Sequence, residues 1–243
     1  MSKKSRGDTL RTVVGVHSST EAIKAHPQWV NEVCVQEGKE RELNSFIQLC
    51  EKQNIKWKFK GKKFFNSLAE GHQGVSVTMS DRVQWDDSAT EKDSSLVVFL
   101  DGITDPHNLG AILRTSWLLD VDGIFIPKDR RVDLTPVVCK VASGGAEYVP
   151  VESCHFGSQL QWFKDQGYWV YGLKEGGDVS LPKQNASGKI VLVIGSEDKG
   201  MRSSTENLCD QFVTIPQVES GSSYNASVAF SICAYEYTRS RHL

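Results

Sequence analysis

Leu96-Val-Val-Phe-Leu100-Asp-Gly-Ile-Thr-Asp105-Pro-His-Asn108-Leu-Gly110-Ala-Ile-Leu-Arg114 reads as a strand that turns into a helix. Five apolar residues in a row at 96–100, branched and aromatic among them, suit a strand buried on both faces. Further on, Leu109, Ile112, Leu113, Ser116 and Trp117 recur at i, i+3, i+4, i+7 and i+8, the spacing of a helix with one face in a core. Asn108 then falls at the predicted N-cap, where its side chain can satisfy an orphan backbone amide. Arg114 stands about one and a half turns further in, and helical side chains lean toward the N-terminus. An anion at that helix mouth would meet both the guanidinium and the positive helix end. A plain cap with a surface arginine gives the same pattern.

Outward from this stretch the alternation repeats. Apolar runs occur at 124–126, 168–172, 190–194 and 212–215, with a helical pattern at 159–166 among the segments between them. Such alternation predicts an α/β fold with a parallel sheet covered by helices, whose ligand site lies beyond the carboxyl ends of the strands. After 190–194 comes Gly195-Ser-Glu197-Asp198-Lys-Gly200-Met201. Its two glycines have P-loop spacing, but the Lys-Ser/Thr pair is missing, and no G-x-G-x-x-G is present, so ATP and dinucleotide loops are excluded. Gly195 permits a close backbone approach to a ligand and Glu197 puts a carboxylate at the strand end; a simple turn is equally open. After 212–215 comes Pro216-Gln217-Val-Glu219-Ser-Gly-Ser-Ser223-Tyr224-Asn225-Ala-Ser227, then an apolar helix from Val228 toward Tyr237. This polar loop either cradles a polar cofactor or forms a Ser-rich capped helix start.

The chain of 243 residues, 39% hydrophobic and 24% charged, has material for a full core and one and a half average domains. Its net charge of −2 conceals an asymmetry: residues 1–82 carry 14 Lys+Arg against 9 Asp+Glu, and the remainder 14 against 21. Opposite halves suggest two tasks, and the polar, acidic stretch 80–95 reads as a linker between domains at 1–79 and 96–243. In the first half, 31–36 reads as a strand, and 41–52, with Leu43, Phe46, Ile47 and Leu49, as a helix. Between them and Glu70 lies a segment with lysines at 52, 56, 58, 60, 62 and 63 interleaved with Trp57, Phe59, Phe64 and Phe65. Lys56, Lys58, Lys60, Lys62 and Lys63 can hold a phosphate backbone while aromatic faces stack on bases. The alternative is a solvated strand whose aromatics belong to the core.

Six cysteines lie far apart with no C-x-x-C pair, so neither a zinc site nor a redox dithiol is expected. No run of about 18 apolar residues occurs, and the charged start lacks the apolar stretch of a secretory leader. A soluble, cytoplasmic protein is expected. Two Asn-x-Ser/Thr matches, at Asn185 and Asn225, then read as chance.

Asn108-x-Gly110-x3-Arg114, Ile194-Gly-Ser-Glu197 with Gly200, and Ile215-Pro216 followed by Ser223-Tyr-Asn225-x-Ser227 together resemble the SpoU/TrmH family of RNA ribose 2'-O-methyltransferases, in the SPOUT class. The resemblance covers about 96–243 and includes the stretch 140–150. The opening Val13-Val-Gly-Val-His-Ser-Ser-Thr-Glu-Ala-Ile23 resembles the small RNA-binding domain, similar to ribosomal protein L30e, that precedes the catalytic domain in bacterial 23S rRNA guanosine methyltransferases. The resemblance implies a parallel α/β domain with a C-terminal trefoil knot, a rare exception to unknotted chains. It implies S-adenosylmethionine held around Gly195, Ile215, Gln217 and Tyr224, a homodimer, RNA as substrate and no metal. Family roles carry over to Arg114 as the activating group, with Asn108, Glu197, Ser223 and Asn225 orienting it and the ribose. Arginine's pKa above 12 makes it a poor base, so clamping and polarising an RNA phosphate or hydroxyl is the role expected here. The chain departs from the family at Asp198 and Glu219, where Gly is common, at Gln217, where Met is usual, and at Tyr224, where Leu is common. Methylation of a guanosine ribose in large-subunit rRNA is the leading expectation. A tRNA ribose methyltransferase and a catalytically weak ribosome-assembly factor are the alternatives.

Overall fold

The computed structural model describes residues 10–129, 133–183, 187–218 and 222–239; Asn185 and Glu219 lie outside them. The chain forms two units, one of residues up to Val83 together with Asp133–Tyr148, the other of Gln84–Val132 and everything from Val149.

The first unit is built on β1 (Arg11–Val14), β2 (Val30–Gln36), β3 (Trp57–Lys60) and β4 (Val75–Met79), with helices α1 (Val16–Ala25), α2 (Asn44–Lys52) and α3 (Lys62–Asn66). The sheet order is β1-β4-β2-β3. β4 runs antiparallel to β1 and β2, and β3 parallel to β2 at the edge. Val13, Val33, Val35, Val75 and Val77 are fully buried. Phe46 and Ile47 lie on the inner face of α2 as the helical spacing predicts, but Cys50 rather than Leu49 completes that face, and Leu43 is buried at the N-cap ahead of the helix.

The domain boundaries expected from sequence shift in two respects. First, α5 (Pro136–Ala142) packs on β1, so 133–148 belongs with the first unit. The chemical reason is a buried ion pair: the Arg11 guanidinium donates to both carboxylate oxygens of Glu147, 2.7 Å at Oε1, with the two side chains 7% and 1% exposed. Burial opposes the charge on Arg11, but the Glu147 bonds outweigh it and raise its pKa. Second, the expected linker is not free of the cores. Trp85 lies edge-on to Phe125 and Phe163, ring centroids 5.4 and 5.6 Å away, in the space left by Gly123, where a Cβ would come within 2.7 Å of the indole.

The second unit contains β5 (Ser95–Asp101), α4 (Pro106–Leu118), β6 (Gly123–Pro127), β7 (Val151–Cys154), α6 (Phe156–Asp165), β8 (Trp169–Leu173), β9 (Val179–Ser180), β10 (Lys189–Gly195), α7 (Ser203–Glu206), β11 (Gln211–Thr214) and α8 (Ala226–Thr238). Its seven strands, in the order β7-β6-β5-β10-β8-β11-β9, are parallel throughout. From β5 the chain builds outward through β6 and β7, then crosses to the other side and returns to lay β10 beside β5. That reversal opens a crevice at the carboxyl ends of β5 and β10, where Gly195 pairs with Asp101. Phe99, Phe125 and Phe163 form an aromatic cluster with centroids 5.0 to 5.8 Å apart on one side of the sheet, and α4 packs against α8.

Candidate active site

Asp105, not Asn108, is the N-cap of α4: its side chain accepts from the His107 amide at 2.9 Å, and Pro106 follows at the first helical position. Asp-Pro is the stronger start signal because proline tolerates that position and removes one orphan amide. The shift puts Asn108 inside the first turn, buried, with its side chain available to the crevice.

Asn225 caps α8. Its Oδ1 accepts from the Ser227 amide at 3.0 Å, from Ser227 Oγ at 2.6 Å and from the Val228 amide at 3.4 Å. Those donors fix the orientation of the amide group, so Nδ2 must face acceptors. It donates to Asn108 Oδ1 at 2.9 Å and to Glu197 Oε1 at 2.6 Å. Glu197 Oε1 also accepts from Asn108 Nδ2 at 2.8 Å and from the Ala226 amide at 3.2 Å. The loops after β5, β10 and β11 thus meet at one carboxylate oxygen, and Oε2 has no hydrogen bond to a described residue.

Arg114 is exposed on α4 and makes no hydrogen bond or ion pair with a described residue, and Ser223 is likewise exposed. Of the five expected catalytic residues, three are brought into contact and these two are not. Among the expected cofactor residues, Gly195 serves a different close approach from the one anticipated. A Cβ there would lie 2.3 Å from the Gly200 carbonyl carbon, because the loop folds back on itself through paired bonds between Ser196 and Gly200. Gln217 donates to the Ser222 carbonyl at 2.8 Å, tying its loop together, and Tyr224 is 40% exposed. A cavity of about 520 Å³ is lined by Leu181, Ile215, Pro216, Val228, Ile232 and Tyr235 among others. It takes in only Ile215 of the cofactor set and lies along α8, with Glu197 not among its lining residues.

Sequence reading missed Asp101, which ends β5 at 1% exposure. Arg202 holds both its oxygens, from the backbone amide at 2.9 Å and from Nε at 2.7 Å. An acid directly after an apolar run was the available signal.

In the first unit Lys56, Lys58, Lys62 and Lys63 are exposed and Lys60 is half-buried. Lys58 pairs with Glu32, and Lys60 Nζ lies 5.5 Å from the centre of the Phe64 ring. The register sets Trp57 and Phe59 beside Val33 and Val35, and Lys58 and Lys60 beside Cys34 and Gln36, so lysines and aromatics of β3 occupy opposite faces. Lysines on an edge strand also guard it against pairing with other chains. All six cysteines are free, and burial pushes the Cys139 and Cys154 thiols up to about 12. Among the described residues no cluster of His, Cys, Asp or Glu is placed to hold a metal ion, and no helix is long and apolar enough to cross a membrane.

The model of the SpoU rRNA methylase family matches residues 95–235, and that of the RNA 2'-O ribose methyltransferase substrate-binding domain matches 12–81. The 23S rRNA (guanosine-2'-O-)-methyltransferase RlmB of Pseudomonas putida is 34% identical over 243 residues, 96% of this chain and 98% of that one. A relative from Staphylococcus aureus, described as of the TrmH family of tRNA/rRNA methyltransferases, is 38% identical over 95% of this chain and 96% of its own. In fold the chain is similar to the SpoU methyltransferase AviRb of Streptomyces viridochromogenes, solved with AdoMet, at a TM-score of 0.81 and 22% identity over 95% and 90% of the two chains.

Proposed function

The chain belongs to the SpoU rRNA methylase family, and from that premise we propose that it transfers a methyl group from S-adenosylmethionine to the ribose 2'-hydroxyl of a guanosine in 23S rRNA. The observation that carries the reading is the convergence of three strand-end loops on Glu197 through Asn108 and Asn225. The donor set fits S-adenosylmethionine. Glu197 would offer a carboxylate to the sulfonium cation, and Ile215, Gln217, Tyr224 and the backbone at Gly195 would offer apolar surface beside amide groups to the adenosine. When bound, the cofactor supplies a methyl group made electrophilic by positive sulfur.

The chain's own work is positioning, which turns a bimolecular displacement into an effectively intramolecular one. Arg114, always charged and held by no described carboxylate, clamps the RNA phosphate beside the target ribose and polarises the hydroxyl. Asn108 and Asn225 hold the Glu197 carboxylate through Oε1, which leaves Oε2 to accept the hydroxyl proton, and Ser223 borders the ribose. The first unit captures the RNA. An apolar recess along α8 seats a second copy, giving a homodimer. Acting on ribosomal RNA, the enzyme works in the cytoplasm.

Labelled S-adenosylmethionine is offered to undermethylated rRNA and tRNA in parallel, and the modified nucleoside is identified. 2'-O-methylguanosine in rRNA alone is expected; label in tRNA alone replaces the substrate assignment with tRNA ribose methylation, which the description of the Staphylococcus relative as a tRNA/rRNA methyltransferase also admits. Arg114→Ala is expected to keep cofactor affinity within about twofold and lose at least about a hundredfold in transfer, the usual scale for removing a group that stabilises developing charge. Full activity, or lost cofactor binding, overturns its role.

A further inference from the structure

We propose that the phosphate backbone of the RNA substrate is gripped by Lys39, Lys62 and Lys140 around the loop 70–74 of the first unit, and not along the lysine-rich edge strand β3. The proposal rests on the reading of the chain as an RNA methyltransferase.

The loop is tight: Gly71, Gln73 and Gly74 all adopt positive φ, at 66°, 55° and 84°. The two glycines leave room for lysine stems. A Cβ on Gly71 would lie 1.8 Å from Lys140 Nζ, and one on Gly74 would lie 2.9 Å from Lys39 Cδ. Lys62 opens α3, whose Phe65 ring stacks on His72 at 5.3 Å and whose Asn66 Oδ1 lies 3.4 Å from His72 Nε2. Lysines from three separate segments therefore stand around one loop, Lys140 through its ammonium, Lys39 through its stem, and Lys62 on the helix that packs on His72.

Their charge is largely unspent. Lys140 donates to the Glu70 carbonyl at 3.2 Å, a bond that leaves its charge uncompensated. Lys62 has no ion pair with a described residue. Lys39 pairs with Glu42 at 3.2 Å, but that carboxylate is 70% exposed, and exposed pairs of this kind are weak. The field at the centre is positive: burial, and then the charges of Lys39, Lys140 and Lys62, lower the His72 pKa. A phosphate is what such a group of point charges recognises. On β3 the Lys58 ammonium pairs with Glu32, an exposed pair as well, so the difference is geometric: the β3 lysines follow one another along a single edge strand, whereas Lys39, Lys62 and Lys140 come from three segments around one loop. Lys140 lies outside the stretch matched by the substrate-binding domain model, and folding alone brings it to that unit.

The test uses the full chain and filter binding of undermethylated 23S rRNA in about 50 to 300 mM KCl. A triple variant carries Lys39→Gln, Lys62→Gln and Lys140→Met, the last keeping the apolar stem. Affinity is expected to fall at least about tenfold, and the slope of log affinity against log salt to flatten by about 2, at roughly 0.7 for each phosphate that is no longer neutralised. S-adenosylmethionine binding and the melting temperature serve as controls for folding, and Arg at all three positions is expected to restore the slope. Lys56→Gln with Lys58→Gln is expected to weaken binding less than about threefold. Wild-type affinity and slope in the triple variant, or a larger loss in the β3 variant, overturns the cluster alone. Absence of rRNA binding and labelling by the unmodified protein overturns the functional reading and the cluster with it.

Discussion

At the scale of single residues, Asn225 has two separable duties. Its Oδ1 caps α8, and its Nδ2 links Asn108 to Glu197. A serine at 225 is a good N-cap but has no amide to bridge the other two. Asn225→Ser is therefore expected to shift the melting temperature by no more than about 2 °C while methyl transfer drops at least about tenfold. Asn225→Ala loses the cap as well, at about 1 kcal/mol, or about 2–4 °C for a chain of this size. Scanning fluorimetry beside single-turnover methylation separates the two variants; a serine variant as active as the parent would remove the bridge from the mechanism. That these three residues meet was legible only in part. Each announced itself by standing after an apolar run, but the hydrogen bonds between them depend on Asp105 taking the cap and freeing Asn108, a competition between neighbouring caps that residue type alone does not decide.

At the scale of elements, the strands that could be read were β2 of the first unit and five of the parallel sheet. β5, β6, β8, β10 and β11 are apolar runs because both faces of such a sheet are covered. β7 and β9, of four and two residues, are too short to carry a period. The placement of α5 was not legible at all, since its partner β1 is more than a hundred residues away and the ion pair that accompanies it is a single Arg and a single Glu. That pair makes its own prediction. Glu147→Ala leaves the Arg11 guanidinium buried without a counter-charge and is expected to cost about 3–5 kcal/mol, whereas replacing both, Arg11→Met with Glu147→Leu, is expected to cost less than either single change. Urea unfolding followed through the first unit's aromatics measures all three. A double variant weaker than both singles would mean that the pair stabilises beyond satisfying buried charge.

At the scale of the whole molecule, two different family models match the two halves that the charge asymmetry separates, but the structural units cut across the sequence, because 133–148 joins the first unit. Copy number came only from the resemblance, which implies a homodimer, and the surface of the second unit speaks to that. Val228 and Tyr235, two turns apart on α8, are 45% and 60% exposed, and Leu118 at the end of the adjoining α4 is 68% exposed. The recess of about 520 Å³ lies along the same helix, with Ile215, Pro216 and Ile232 in its lining. Exposed apolar surface of this continuity favours association, and a self-complementary patch closes most simply as a two-fold dimer. Because the recess includes Ser227, two residues from Asn225, a second copy seated there would border the loop that carries Asn225. Light scattering at about 10 µM is expected to give twice the chain mass of 27.0 kDa. Val228→Glu with Tyr235→Glu should reduce this to a single chain, because each carboxylate would be desolvated without a partner in the docked state, and methyl transfer should fall with it. A single-chain mass for the unmodified protein would refute the dimer, and a monomeric variant of full activity would show that each copy holds a complete site.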